Sequence, residues 1–162
     1  MSQGWLRSLE EIFLLTLAAV LLHWTLLPPV WAALGQSMTS VEQDRAMMKG
    51  QRESRAAMGY SVETIVAGAM TIREYVSSDG HVFAVAWKGM GTLDLPLLLG
   101  EYFEEYRDGV IAARNQTPRM RKPLVLKTAR LIVERGGHSR FSWGRAFLPS
   151  ALPPGVTAQD IQ

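Results

Sequence analysis

The sequence predicts an α+β domain: a mainly antiparallel sheet of about five strands with one or two helices packed on it, after an N-terminal signal segment. Three observations carry this expectation. The first 32 residues hold one long apolar run. The hydrophobic period is two over residues 60–87. It changes to the helical period at Asp94 and returns to two after Lys127.

From Ile12 to Leu27 only Thr16, His23 and Thr25 interrupt the apolar run, and no charge stands between Glu11 and Glu42. Pro28 and Pro29 end it, and Val30-Trp31-Ala32 offers a cleavage site of the Val-x-Ala kind. Residues 1–32 therefore read as a signal peptide, with Ala33 as the mature N-terminus and 33–162 as a single domain. A retained membrane anchor is the alternative. Glu10 and Glu11 offset Arg7, and about 20 apolar residues suffice to span a bilayer. A buried core helix fits poorly, since a run apolar on all sides is hard to hide in a small domain.

The chain has 162 residues, of which 48% are hydrophobic and 20% charged, enough for a packed core and too few charges for a disordered tail. Removing Arg7, Glu10 and Glu11 moves the formal charge only from +2 to +3. There is no cysteine, so an exported form rests on its core rather than on disulfides. Thiol nucleophiles, iron–sulfur clusters and cysteine-based zinc sites are excluded with it.

Thr39-Ser40-Val41-Glu42 reads as a capping box, opening a helix from about Ser40 to Lys49 with a possible continuation to Ala57. Strands follow at Tyr60–Val66 and Met70–Val76, rich in β-branched and aromatic residues. Asp79-Gly80 suits a hairpin turn that needs positive φ. His81–Trp87 is apolar on both faces, which marks a central strand covered on both sides, with Trp87 buried.

Lys88–Thr92 reads as a flexible joint. From Asp94, Leu95, Leu98, Leu99, Tyr102, Phe103 and Tyr106 form one apolar stripe. Glu101, Glu104, Glu105 and Asp108 lie opposite, and Gly109 supplies a stop. Gly100, in mid-helix, suggests close approach to a strand. Residues 112–127 carry no clear pattern. Thr128–Glu134 and Ser139–Leu148 read as the last two strands, turning at Gly136-Gly137. In the second of these Phe141, Trp143 and Phe147 face one way, with Arg145 breaking the row.

Few residues suggest chemistry. Past the signal segment only His81 and His138 remain, and neither has a Gly-x-Ser-x-Gly elbow or a zinc-binding spacing nearby. No metal site and no cofactor is expected. The glutamates of the helix read as a solvated face. Arg114, Arg119, Arg121, Lys122, Lys127 and Arg130 form a basic stretch suited to anions, phosphate or lipid headgroups. It lacks interleaved aromatics, so no nucleic acid is expected. Gly89-Met90-Gly91 lacks the third glycine and the Lys-Ser/Thr of nucleotide loops.

Several stretches together resemble the bacterial domain-of-unknown-function family 2844 (DUF2844). They are Ala33-Leu34-Gly35, Ser40-Val41-Glu42 with Asp44-Arg45, Arg73–Ser77, Gly80, Val82–Trp87 and Leu98-Leu99-Gly100 with Tyr102-Phe103. Gly136-Gly137-His138, Gly144-Arg145-Ala146, Leu148-Pro149 and Pro154-Gly155-Val156 complete the set, in order over nearly all of 33–162. The resemblance implies a secreted or envelope protein of Gram-negative bacteria and no particular activity. It directs attention to two candidate binding clusters, His138 with Arg140 and Arg145, and Arg73 and Glu74 with Asp79-Gly80-His81.

The expected function is that of a periplasmic or secreted, non-catalytic binding or structural accessory protein. Its partner would be an envelope protein or an anionic surface ligand, with membrane contact only through the segment removed on export. Two rivals are a small envelope hydrolase using His138 or His81, and a carrier holding a hydrophobic ligand between the Leu98–Tyr106 helix and the sheet.

Overall fold

The computed structural model describes residues 34–37, 51–116 and 123–162. The chain divides into two compact units, residues 1–30 and 31–162, and the fold below belongs to the second. Its strands are β1 (Gln51–Ala57), β2 (Tyr60–Ala67), β3 (Met70–Ser77), β4 (Val82–Met90), β5 (Leu124–Lys127), β6 (Ile132–His138) and β7 (Phe141–Phe147). A one-turn helix α1 (Leu95–Leu99), a 3-10 turn (Gly100–Tyr102) and helix α2 (Phe103–Gln116) connect β4 to β5.

All seven strands form one antiparallel sheet in the order β1-β2-β3-β4-β7-β6-β5. The chain builds outwards-in as a meander to β4, crosses one face through the helices, and re-enters from the far edge. β4 is therefore the middle strand, and Val82–Trp87 are buried without a break, as their two-sided apolar pattern requires. Trp87 is 4% exposed.

Two cores result. On the first face Leu98, Leu99 and Tyr106 of the helices, with Leu34 and Leu131, cover Ile65, Ile72, Val85 and Trp87. On the second face the segment after β7 folds back, laying Leu152, Val156, Ala158 and Ile161 over Tyr75, Phe83, Ala86 and Phe147. The register shifts between Tyr75 and Val76, which pair with Ala84 and Val82. Phe83 is the unpaired extra residue of this bulge, so Phe83 and Ala84 both serve the second core.

Seven strands replace the five expected, because both edge strands escaped the pattern. β1 occupies the stretch where the sequence allows a possible continuation of the Ser40–Lys49 helix to Ala57. Arg, Glu and Ala favour helix, but pairing with β2 along all seven residues overrides that preference. The helix expected at Ser40–Lys49 lies outside the described residues. β5 has four residues and sits in the stretch that showed no pattern.

The helix also differs. Gly100, at φ +50, breaks it into α1 and α2, a conformation that L side chains rarely adopt. Gly109 is not a stop, since α2 runs on to Gln116. A Cβ there would meet the Leu126 side chain, so the glycine lets the helix settle on β5. Lys88–Met90 is part of β4 rather than a joint. The last hairpin turns at Ser139-Arg140, not at Gly136-Gly137, which pair with Trp143 and Ser142 inside the ladder.

Candidate functional site

The residues singled out from sequence fall into three places. Asp79 and His81 occupy the β3–β4 turn, where Gly80 takes φ +84 as an Asp-Gly turn needs. The Ser77 hydroxyl bonds both the Asp79 carboxylate and the His81 carbonyl, the latter at 2.9 Å. That hydroxyl, more than the neighbouring imidazole, holds the Asp79 carboxyl below the usual range. Ser77 thus ties the turn together. His138 and Arg140 lie at the β6–β7 hairpin, beside the far end of β4. His138 stacks on Phe141 with ring centroids 5.9 Å apart, and the Arg140 carbonyl accepts from Gly91 N at 3.2 Å. The nine residues of β4 separate the two histidines, which share no site.

Arg73 and Arg145 meet in the third place, around the C-terminal segment. Arg73 Nη1 donates to the Gln162 carbonyl at 2.7 Å, and the buried Tyr75 hydroxyl bonds both Gln162 O, at 2.9 Å, and Gln162 N, at 2.8 Å. Burial raises the Tyr75 pKa, keeping the hydroxyl available as a donor. Arg145 pairs with Glu134 at 2.7 Å and sends Nη1 to the carbonyls of Ala158 and Ile161. These two arginines, from separate sequence clusters, clamp one tail. The structure does not bring Arg145 to His138 and Arg140.

Exposure differs along the second face of β7. Phe147 lies under the clamped tail, 4% exposed, while Trp143, four residues earlier on the same face of β7, is 39% exposed. A groove of about 700 Å³ opens there, bordered by Lys88, Phe141, Trp143, Arg145, Ile161 and Gln162. Lys88 is directly opposite Trp143 on β4, and Gly136 is opposite it on β6. A Cβ at Gly136 would come within 2.7 Å of the indole, so this glycine makes the seat for the ring. Arg145 is neutralised by Glu134, which leaves the exposed Lys88 as the unpaired cation among the described residues that line the groove. The groove therefore offers a flat apolar surface next to one ammonium group.

Sequence reasoning caught the aromatic row and Arg145 but missed Lys88, because cross-strand pairing of β4 with β7 is not written in either segment. It also missed Glu63, and it placed Glu74 in a candidate binding cluster, whereas both carboxylates are buried on the first face. Glu63 accepts from Ser54 Oγ at 2.7 Å, Arg52 Nε at 2.9 Å and Ser61 Oγ at 3.3 Å. Glu74 lies beside it on β3, also buried. The available signal was alternation: Ser61, Glu63 and Ile65 share a face, so a buried Ile65 buries Glu63.

Of the basic stretch, Arg130 pairs with Glu105 of α2 at 2.8 Å and lies 5.1 Å from the centre of the Tyr102 ring. A Thr128 hydrogen bond and then Arg130 lower the Glu105 pKa. Arg119, Arg121 and Lys122 lie outside the described residues. The space between the helices and the sheet, the place expected for a carried hydrophobic ligand, holds the buried side chains of the first core; the groove is on the other face. Among the described residues no group of three or more His, Asp or Glu could hold a metal ion, and no helix is long and apolar enough to cross a membrane.

The sequence profile of a family described as "Protein of unknown function (DUF2844)" matches residues 30–161. No curated protein and no solved structure matches the chain.

Proposed function

The chain belongs to the DUF2844 family, and from that premise we propose that it is an exported, non-catalytic binding protein of the periplasm or the secreted fraction. Its ligand is an anion with a flat apolar face, held between Trp143 and Lys88. One observation carries this reading: a 39% exposed indole stands directly across from an exposed lysine, in a groove bordered by Ile161 and Gln162. Large aromatic rings in a polar-edged groove bury ligand area at little conformational cost, and the ammonium adds selection for charge. The export half rests on Pro28-Pro29 and Val30-Trp31-Ala32, and on a family match that begins at residue 30, past the apolar run.

The test uses 8-anilinonaphthalene-1-sulfonate, an anion with a flat naphthalene face, titrated by fluorescence into the full chain. Saturable binding is expected, weakened by salt and by about tenfold or more in Lys88→Glu and in Trp143→Ala, which corresponds to about 1.4 kcal/mol. Unaltered binding in both variants, with folding retained, overturns the assignment of the groove.

A further inference from the structure

We propose that the outer edge of β1 is a self-association surface, on which a second copy of this chain adds its own β1 antiparallel about a two-fold axis through Ser54. β1 is the first strand of the sheet order, and all seven of its residues pair with β2 without a register break. Among the described residues no strand pairs with its other edge. Every β1 residue except Arg52 is exposed.

An unpaired edge of this length templates further strand pairing unless something blunts it. The opposite edge is blunted: β5 has four residues, follows Pro123 and lies under α2 where Leu126 meets Gly109. β1 has no proline, no glycine and no bulge.

The sequence of β1 is complementary to itself. Glu53 and Arg55 flank Ser54 and share a face. With Ser54 opposite Ser54, Glu53 of each copy meets Arg55 of the other, twice per interface. Arg52 then faces Ala56, and Gln51 faces Ala57. Registers centred on Glu53 or on Arg55 would instead place like charges directly opposite, which is unfavourable. The Ser54 register also keeps the helix-covered face on the same side in both copies, giving one sheet continuous through the pair. The interface is isologous, as a two-fold dimer requires.

Sedimentation velocity of the full chain over a range of concentrations at low salt tests the proposal. The expected result is a monomer–dimer equilibrium that Glu53→Arg or Arg55→Glu alone weakens by about tenfold or more. An equimolar mixture of those two variants restores association, and so does the double reversal E53R/R55E, because each recreates opposite charges across the axis. Since the chain has no cysteine, Ser54→Cys provides a second reading: oxidation links two copies through that position. A chain that stays monomeric throughout overturns the proposal, as do single reversals that associate like the wild type. A mixture that fails to restore association overturns the Ser54 register.

Discussion

Glu63 of β2 and Glu74 of β3 stand directly opposite each other in the ladder and are both buried, at 0% and 2% exposure. Like charges opposed across strands are unfavourable, and burial away from water adds to the cost. Glu63 is accommodated by three donors, one of them the Arg52 guanidinium, whose side chain is 24% exposed.

Arg52→Ala should therefore destabilise the fold by about 2–3 kcal/mol, less than for a fully enclosed pair because water reaches Arg52 and two hydroxyls still bond Glu63. Urea denaturation measures it. A midpoint equal to the wild type would mean that Glu63 does not depend on this cation.

Trp87 and Gly144 should behave as one packing unit. They are opposite in the β4–β7 register, and a Cβ at Gly144 would enter both the Trp87 ring and the Glu134 carbonyl, the latter at 2.7 Å. Trp87→Ala is expected to cost about 3–5 kcal/mol through lost burial and a cavity. Gly144→Ala should cost about 1–3 kcal/mol by overpacking. The double variant should cost less than the sum, because removing the ring relieves part of the crowding. Strict additivity in denaturation would show that the two do not touch.

Acid should act on the β3–β4 turn through Asp79. Its carboxyl titrates below the ordinary value because the Ser77 hydroxyl bonds the charged form. With a folded pKa below the unfolded one, the unfolded state takes the proton first as pH falls. The stabilisation is thus complete above about pH 4 and is lost as pH drops through the folded value. Ser77→Ala should move the Asp79 titration back up, read by carboxyl-carbon NMR. An unmoved titration would assign the shift to some other group.

Processing should leave Ala33 as the N-terminus of exported material, one residue before Leu34. Leu34 is fully buried and its N–H bonds the Leu98 carbonyl at 3.1 Å, while Gly35 N bonds Val82 O at 2.7 Å. N-terminal sequencing of the periplasmic and culture fractions checks the site. Recovery of the intact 162-residue chain in the membrane would favour a retained anchor instead.

The sequence by itself determined the centre of this protein. Val82–Trp87 had to be a covered middle strand, since no alternation gave it a solvent face, and the Leu98–Tyr106 stripe had to lie on a sheet. Asp79-Gly80 set a turn for a local steric reason. What fails locally is what depends on a partner distant in sequence. β1 carries helix-favouring residues and becomes a strand only because β2 pairs with it. Gly136 and Gly109 looked like turn and stop signals, but they are spaces for Trp143 and Leu126, 7 and 17 residues away. Arg73 and Arg145 looked like surface binding groups, and their guanidiniums hold the tail. Lys88 reaches the groove beside Trp143 only through the β4–β7 pairing. Periodicity records which face a residue takes; which strand lies beside it, and what lies above, is decided when distant segments meet.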